Sequence, residues 1–203
     1  MNRNGLLIIL SGPSGSGKDT ILYELAKRER DIKISISMTT RKPRDSEEDG
    51  KNYYFVDEAY FRRKLESEQI LEYAQYGSKF YGTPKAPVDI WLAEGKTVIL
   101  KIEVQGAEKI RALYPDAVSI FLMPPSLQVL EDRLRKRETE DEDEISRRLS
   151  IAVGEIKRSL EYDYYVINDI VGYAVSDISA IIQAEKQKTF RNKNIISEVM
   201  NNA

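Results

Sequence analysis

The 203-residue chain contains no cysteine and no histidine. The first absence excludes disulfides, zinc–thiolate sites and thiol nucleophiles. The second removes imidazole as base or metal ligand, and with it any Ser-His-Asp triad. Neither sign of charge is in excess: 31 basic side chains stand against 33 acidic ones, a formal net charge of −2. Proteins that coat nucleic acid or lie on membrane surfaces carry a basic excess, so neither partner is expected. No run approaches the ~20 apolar residues that span a bilayer, and the N-terminus lacks the layout of a signal peptide. A soluble, cytoplasmic protein is the expectation. The length suits one compact domain, with room for inserted subdomains.

What is present is concentrated near the start. Leu6 to Leu10 is an unbroken apolar run, the pattern of a strand buried on both faces. It stops in Ser11-Gly12-Pro13-Ser14-Gly15-Ser16-Gly17-Lys18-Asp19-Thr20, and a helical pattern follows from Thr20 to Arg30. Gly12, Gly17 and Lys18 fit the G-x-x-x-x-G-K phosphate loop in the strand–loop–helix context that the motif requires. Glycines let successive N–H groups turn onto one anion, and the helix N-terminus adds partial positive charge. Lys18 supplies a mobile cation for the outer phosphates. The residue after the lysine, by the motif a hydroxyl side chain touching Mg²⁺, is Asp19; Thr20 comes one step later.

Further along, Ile32 to Ser37 alternates as a half-buried strand and Tyr53 to Val56 reads as another. Asp57 caps a helix to about Ser67, and Ile70–Gln75 with Phe80–Thr83 flank Gly77-Ser78 as a hairpin. Residues 35–83 therefore form a small, strand-rich, inserted unit. The core pattern resumes with a helix from Pro84 closed by Gly95 and a strand over Thr97–Glu103. A helix over Gly106–Leu113 and a strand over Ala117–Met123 follow. Two more helices flank the acidic run Glu138–Glu144, expected as an exposed turn. The second carries an apolar stripe through Leu149, Ala152, Val153, Ile156 and Leu160. Tyr164–Ile167 is the last strand, Val175–Lys186 the last long helix, and the tail is a short helix or frayed. Alternating strands and helices indicate an α/β fold with a parallel sheet covered on both faces. The expected division is a core of 1–34, 84–124 and 157–190, the insert at 35–83, a helical lid at 125–156 and a tail at 191–203.

Ser37, Thr39 and Thr40 stand beside Arg41 and Arg44 at a strand end. Arginine forks match phosphate oxygens, so this is a candidate second phosphate site, with Tyr53 and Tyr81 as phenolic donors. A solvated polar loop is the plain alternative.

Taken together, the motifs resemble the guanylate kinase family. They are Gly12 to Lys18, Ser37 to Arg44, Asp49 to Tyr53, Glu72-Tyr73-Ala74, Tyr81-Gly82-Thr83, Ile102 to Gly106, Pro124-Pro125-Ser126, Arg147 to Ser150 and Ile167-Asn168-Asp169. The resemblance runs from about residue 5 to residue 185. It implies a P-loop kinase core with a mixed-β GMP-binding subdomain and a helical lid, moving the γ-phosphoryl of Mg-ATP to GMP. By motif position, Gly12, Pro13, Ser14, Gly15, Ser16, Gly17, Lys18, Asp19 and Thr20 hold ATP, with Arg133 and Asn168 near it. Ser37, Arg41, Arg44, Tyr53 and Tyr81 hold the GMP phosphate, while Glu72, Thr83 and Glu103 read the base. Lys18, Arg41, Arg137 and Arg148 are the implied catalytic cations, and the Mg²⁺ ligands stay open.

Structural carboxylates and helix-surface ion pairs with Glu131 or Glu144 are the bland readings for the acidic pair and the lid arginines. Two positions depart from the family pattern: Lys101 stands where relatives are usually acidic, and Glu138 where they tend to have glycine. Two other functions fit the same outline. One is a phosphopeptide-binding module with a kinase-like fold; the other is a kinase acting on another phosphorylated acceptor. Oligomeric state is not legible.

Overall fold

The computed structural model describes residues 5–45, 47–136 and 142–201, the last stretch by backbone alone over 194–196. The chain opens with β1 (Leu6–Ser11), α1 (Lys18–Arg28) and β2 (Ile32–Ile34). It then builds β3 (Met38–Thr39), β4 (Tyr54–Phe55), α2 (Glu58–Glu66), β5 (Ile70–Tyr76) and β6 (Lys79–Pro84). The remainder comprises α3 (Lys85–Ala93), β7 (Thr97–Lys101), α4 (Val104–Leu113), β8 (Val118–Met123), α5 (Leu127–Arg135) and α6 (Glu142–Lys157). A 3₁₀ turn, β9 (Tyr164–Ile167), α7 (Val171–Gln187) and α8 (Asn194–Asn201) close it.

Five strands form a parallel sheet in the order β2-β7-β1-β8-β9. β1 lies at its centre and is buried along its whole length. Because side chains alternate across a strand, Leu6, Ile8 and Leu10 pack with Ile21, Leu25, Val175 and Ile178 of α1 and α7. Leu7 and Ile9 face the other way, onto Val88, Ala107 and Ile110 of α3 and α4. Burying each such side chain stabilises the fold by about 1.5–3 kcal/mol. An apolar run is what a strand covered on both faces requires. The sheet therefore fixes the C-terminal end of β1, and the loop after it, at the edge where α/β folds bind ligands.

A second sheet, β4-β3-β6-β5, has its own small core of Phe61, Ile70 and Phe80. Leu130, Leu134 and Ala152 join α5 to α6. In α2 and α5 the caps are side chains: Asp57 accepts from Tyr60 N–H at 2.6 Å and Ser126 from Val129 N–H at 3.1 Å.

Three expectations change. The alternation over Ile32–Ser37 is one strand only to Ile34. Ser35 N–H still bonds Ile99 O at 2.9 Å, after which the chain crosses to the second sheet. The acidic run is not all turn, since Glu142, Asp143 and Glu144 form the first turn of α6, where the helix N-terminus favours negative charge. Leu160 does not extend the apolar stripe: α6 ends at Lys157, and Leu160 is 93% exposed in the 3₁₀ turn Arg158–Glu161. Val153 also faces outward. No helix among the described residues is long and apolar enough to cross a membrane.

Candidate active site

The loop between β1 and α1 closes on its own glycines. Gly12 and Gly17 have φ of 151° and 94°, values open to glycine. A Cβ on Gly12 would lie 2.3 Å from Leu122 O, and one on Gly17 would lie 2.3 Å from Asn168 Nδ2. Unlike α2 and α5, α1 begins at a glycine cap with no side-chain acceptor. Its first N–H groups are therefore left for an external anion. Lys18 Nζ folds back on Gly12 O and Pro13 O, the latter at 3.1 Å. Burial lowers the pKa of this lysine, against the opposing pull of Glu103, Glu155 and Asp19.

A cleft of about 370 Å³ opens in front of the loop. Ser14, Gly15, Gly17, Lys18, Asp19 and Thr20 form one wall, and Ser37, Tyr53, Glu72 and Tyr81 of the second sheet region the other. Lys101 and Glu103 form its floor at the end of β7, and Arg148 of α6 reaches it from above. A larger hollow, of about 590 Å³, lies between β4, α2 and α3, lined by Tyr54, Val56, Tyr60 and Pro87 among others. Its lining residues include no loop glycine and no arginine, and its one cation, Lys64, bonds Gln69 Oε1, whereas the smaller, polar cleft brings the loop, Lys18, Lys101 and Arg148 together.

Within the cleft the carboxylates are distinct. Glu72, on β5, is buried and accepts a 2.6 Å hydrogen bond from Thr83 Oγ1 on β6. Burial raises its pKa, partly offset by Thr83. Glu103 occupies the N-cap of α4 but makes no side-chain cap bond, so its carboxylate is not spent on the helix. The ring of Tyr53 packs edge-on against Tyr81, with centroids 5.8 Å apart, and burial raises its pKa.

Other expected site residues are engaged elsewhere. Arg41 Nη2 pairs with Glu47 Oε1 at 2.7 Å while its guanidinium lies 5.7 Å from the Tyr53 ring. Arg44 is exposed, and its backbone N–H bonds Glu47 Oε2 at 2.9 Å. Ser16 is buried inside the loop. Asn168 Nδ2 donates to Ser16 O at 2.8 Å, and Arg133 Nη2 donates to Asn168 O at 2.8 Å. These two residues brace the back of the loop rather than line the cleft. Arg148 Nη1 bonds Ser14 Oγ at 3.1 Å and its Nε bonds Glu144 Oε1 at 2.9 Å. Arg137 lies outside the described residues, as does Glu138.

For four participants, sequence reasoning missed the contact each makes in the site. Lys101 Nζ lies 2.5 Å from Asp19 Oδ1 across 82 residues of chain. Glu155 faces Lys18 and Glu103 from α6, and burial with Glu103 beside it pushes its pKa up to about 7. Glu47 holds the Arg41 loop, and Gly106 makes room for Glu72, as its Cβ would stand 2.6 Å from Glu72 Oε2. Two of them left a trace in the sequence, Lys101 as a departure from the family pattern and Gly106 as a glycine opening a helical pattern.

Known proteins are similar to this chain in sequence and in fold. Residues 4–185 match the family model described as guanylate kinase. A guanylate kinase of Clostridioides difficile is 48% identical over 196 residues, covering 97% of this chain and 96% of that protein. One from Caldanaerobacter subterraneus is 47% identical over 199 residues, covering 98% and 97%. The crystal structure of guanylate kinase from Anaplasma phagocytophilum superposes with a TM-score of 0.78 at 34% identity, covering 94% of this chain and 90% of that one. With the family model matching residues 4–185 and these relatives covered over nearly their whole length, the chain belongs to the guanylate kinase family.

Proposed function

We propose that the chain transfers the γ-phosphoryl group of ATP to GMP, giving ADP and GDP. One relationship carries the reading: an uncapped, glycine-walled helix N-terminus faces the buried Glu72–Thr83 pair and Glu103 across a single cleft. The loop N–H groups and Lys18 hold the donor phosphates. Ser37, Tyr53 and Tyr81 hold the acceptor phosphate, joined by Arg41 when it exchanges Glu47 for phosphate, and by Arg44. Guanine presents N1–H and N2–H₂ as donors, so Glu72 and Glu103 take them, while Thr83 gives its one hydroxyl proton to Glu72 Oε1 and fixes that carboxylate for the base. Adenine offers an N1 acceptor there, leaving buried groups unpaired, a mismatch that discriminates by as much as ~10⁴.

Phosphoryl transfer needs alignment and charge neutralisation more than a base, which suits a chain without histidine. Arg148, already on Ser14, closes from the lid side, and Arg137 is the second lid cation. Closure excludes water and so suppresses hydrolysis. Arg133 and Asn168 keep the loop in shape. A Mg²⁺ ion arriving with ATP fits Asp19, an exposed carboxylate at the mouth of the loop, and the neighbouring Thr20 hydroxyl. When bound it offsets phosphate charge. Expected motion is inward, the 35–83 unit and the 125–156 lid approaching the core. The substrates are cytoplasmic nucleotides, and the activity belongs to purine nucleotide metabolism.

The intact loop disfavours the phosphopeptide-binding alternative, and a base-independent acceptor has no use for Glu72 and Glu103. Phosphorus NMR of the protein with Mg-ATP and GMP should show both converted to diphosphates without inorganic phosphate. Release of inorganic phosphate without GDP contradicts the reading.

A further inference from the structure

Lys101 ends β7, in register with Leu10 of β1, directly beside the strand that feeds the phosphate loop. Its side chain lies in the cleft with only 27% of its surface exposed, whereas that of its partner Asp19 is 80% exposed. The same ammonium lies 5.8 Å from the centroid of Tyr53, the ring that Arg41 approaches at 5.7 Å from its own position. Lys101 thus touches the donor side through Asp19 and the acceptor wall at Tyr53. Asp19 takes one of its three N–H donors.

We infer that Lys101 is a catalytic residue that leaves Asp19 for the phosphoryl group in transit when both nucleotides are bound. The inference rests on the kinase reading above. An ion pair with so exposed a carboxylate is held weakly, and solvent or the nucleotide's own cation satisfies Asp19 once the pair opens. A phosphoryl group passing between ATP and GMP spreads negative charge over three equatorial oxygens. Lys18 approaches it from the loop and Arg148 from the lid; Lys101 supplies the cation on the third side, from the sheet edge. Lys18 is tied to Gly12 and Pro13 carbonyls, whereas Lys101 is tied only to a neighbour that the incoming phosphates can replace.

The test compares Lys101→Met, Lys101→Arg, Asp19→Ser and the Asp19→Ser/Lys101→Met double variant. Initial rates give kcat and KM. Calorimetry gives affinities for GMP, ADP and a bisubstrate compound joining adenosine to guanosine through five phosphates. Lys101→Met should lower kcat about 100-fold with both KM values within about threefold. Bisubstrate affinity should fall about 30-fold while GMP and ADP affinities each move less than about threefold. Lys101→Arg should keep about a tenth of the activity or more, and the double variant should stay as impaired as Lys101→Met. Recovery in the double variant to well above the rate of Lys101→Met would mean that Lys101 only shields Asp19, and overturns the inference. Unchanged bisubstrate affinity, or an equal loss for GMP alone, overturns it as well. A wild-type protein that binds neither GMP nor the bisubstrate contradicts the kinase reading itself, a result distinct from any of these.

Discussion

The hydroxyl of Thr83 donates to Oε1 of Glu72 at 2.6 Å, and both side chains are buried where β5 and β6 pair. That bond sets the carboxylate while leaving Oε2 to another donor. Glu72→Gln keeps the shape but replaces an acceptor with an amide that repels guanine N–H groups. We expect kcat/KM for GMP to fall about 10²–10³-fold. Stability should not fall with it. Burial raises the pKa of Glu72, so the fold binds its proton more tightly than the unfolded chain does. Its contribution is fully present below the unfolded pKa and is lost as pH rises through the folded one. At neutral pH the neutral glutamine should therefore melt at or above the wild-type temperature. A lower melting temperature would show that the charged form is structurally required.

Gly106 tests the same carboxylate without touching substrate. A Cβ there meets Glu72 Oε2 at 2.6 Å and Cδ at 3.2 Å, the far end of a flexible side chain. The fold can yield by moving Glu72, and alanine is the better helix former by about 0.5–1 kcal/mol. Gly106→Ala should melt no lower than wild type, raise KM for GMP about tenfold and leave KM for ATP unchanged. Steady-state kinetics with each nucleotide varied in turn decides the matter; equal changes in both KM values would rule out a positioning role.

Glu155 should give the unliganded protein a pH-dependent stability. Burial, then the neighbouring Glu103, raise its pKa to about 7, with Lys18 opposing. A raised carboxyl stabilises the fold below its unfolded pKa, and that stability drains away as pH climbs from ordinary carboxylate values through 7. Glu155→Gln should match wild type at low pH and exceed it at pH 8 by about 1 kcal/mol, since solvent on its exposed side screens the effect. Urea denaturation across that range checks this; parallel curves for the two proteins would refute it.

The lid arginine is expected to act late. Arg148 reaches Ser14 of the loop while Glu144 anchors it, and the Arg147 and Arg148 hydrogen bonds hold the Glu144 carboxyl down to about 2. Arg148→Ala should reduce kcat about 10²–10³-fold with KM values within a few-fold, the signature of a contact made in the transition state. A large KM change with kcat intact would move Arg148 to ground-state binding.

Local patterns made much of the fold legible. Leu6–Leu10 had to be a doubly covered strand, and the glycines at 12 and 17 stand where a side chain would strike Leu122 or Asn168. Asp57 announced α2 through its cap. What escaped was set by distant parts of the chain or by competing local forces. The Ile32–Ser37 alternation is cut because Ser37 and Ile34 belong to different sheet neighbourhoods. Glu142–Glu144 helix formation depends on where α6 starts, which composition alone does not specify. Asp19 with Lys101, and Glu155 with Lys18, are pairings across more than eighty residues, invisible to any sequence window.

The most direct measurement is the initial rate of ADP formation with Mg-ATP and each of GMP, dGMP, AMP, UMP and CMP, with Lys18→Ala as control. The account predicts strong preference for a guanine acceptor and loss of turnover in the control. Equal turnover of AMP and GMP, or no turnover with any acceptor by the folded wild-type protein, would contradict it.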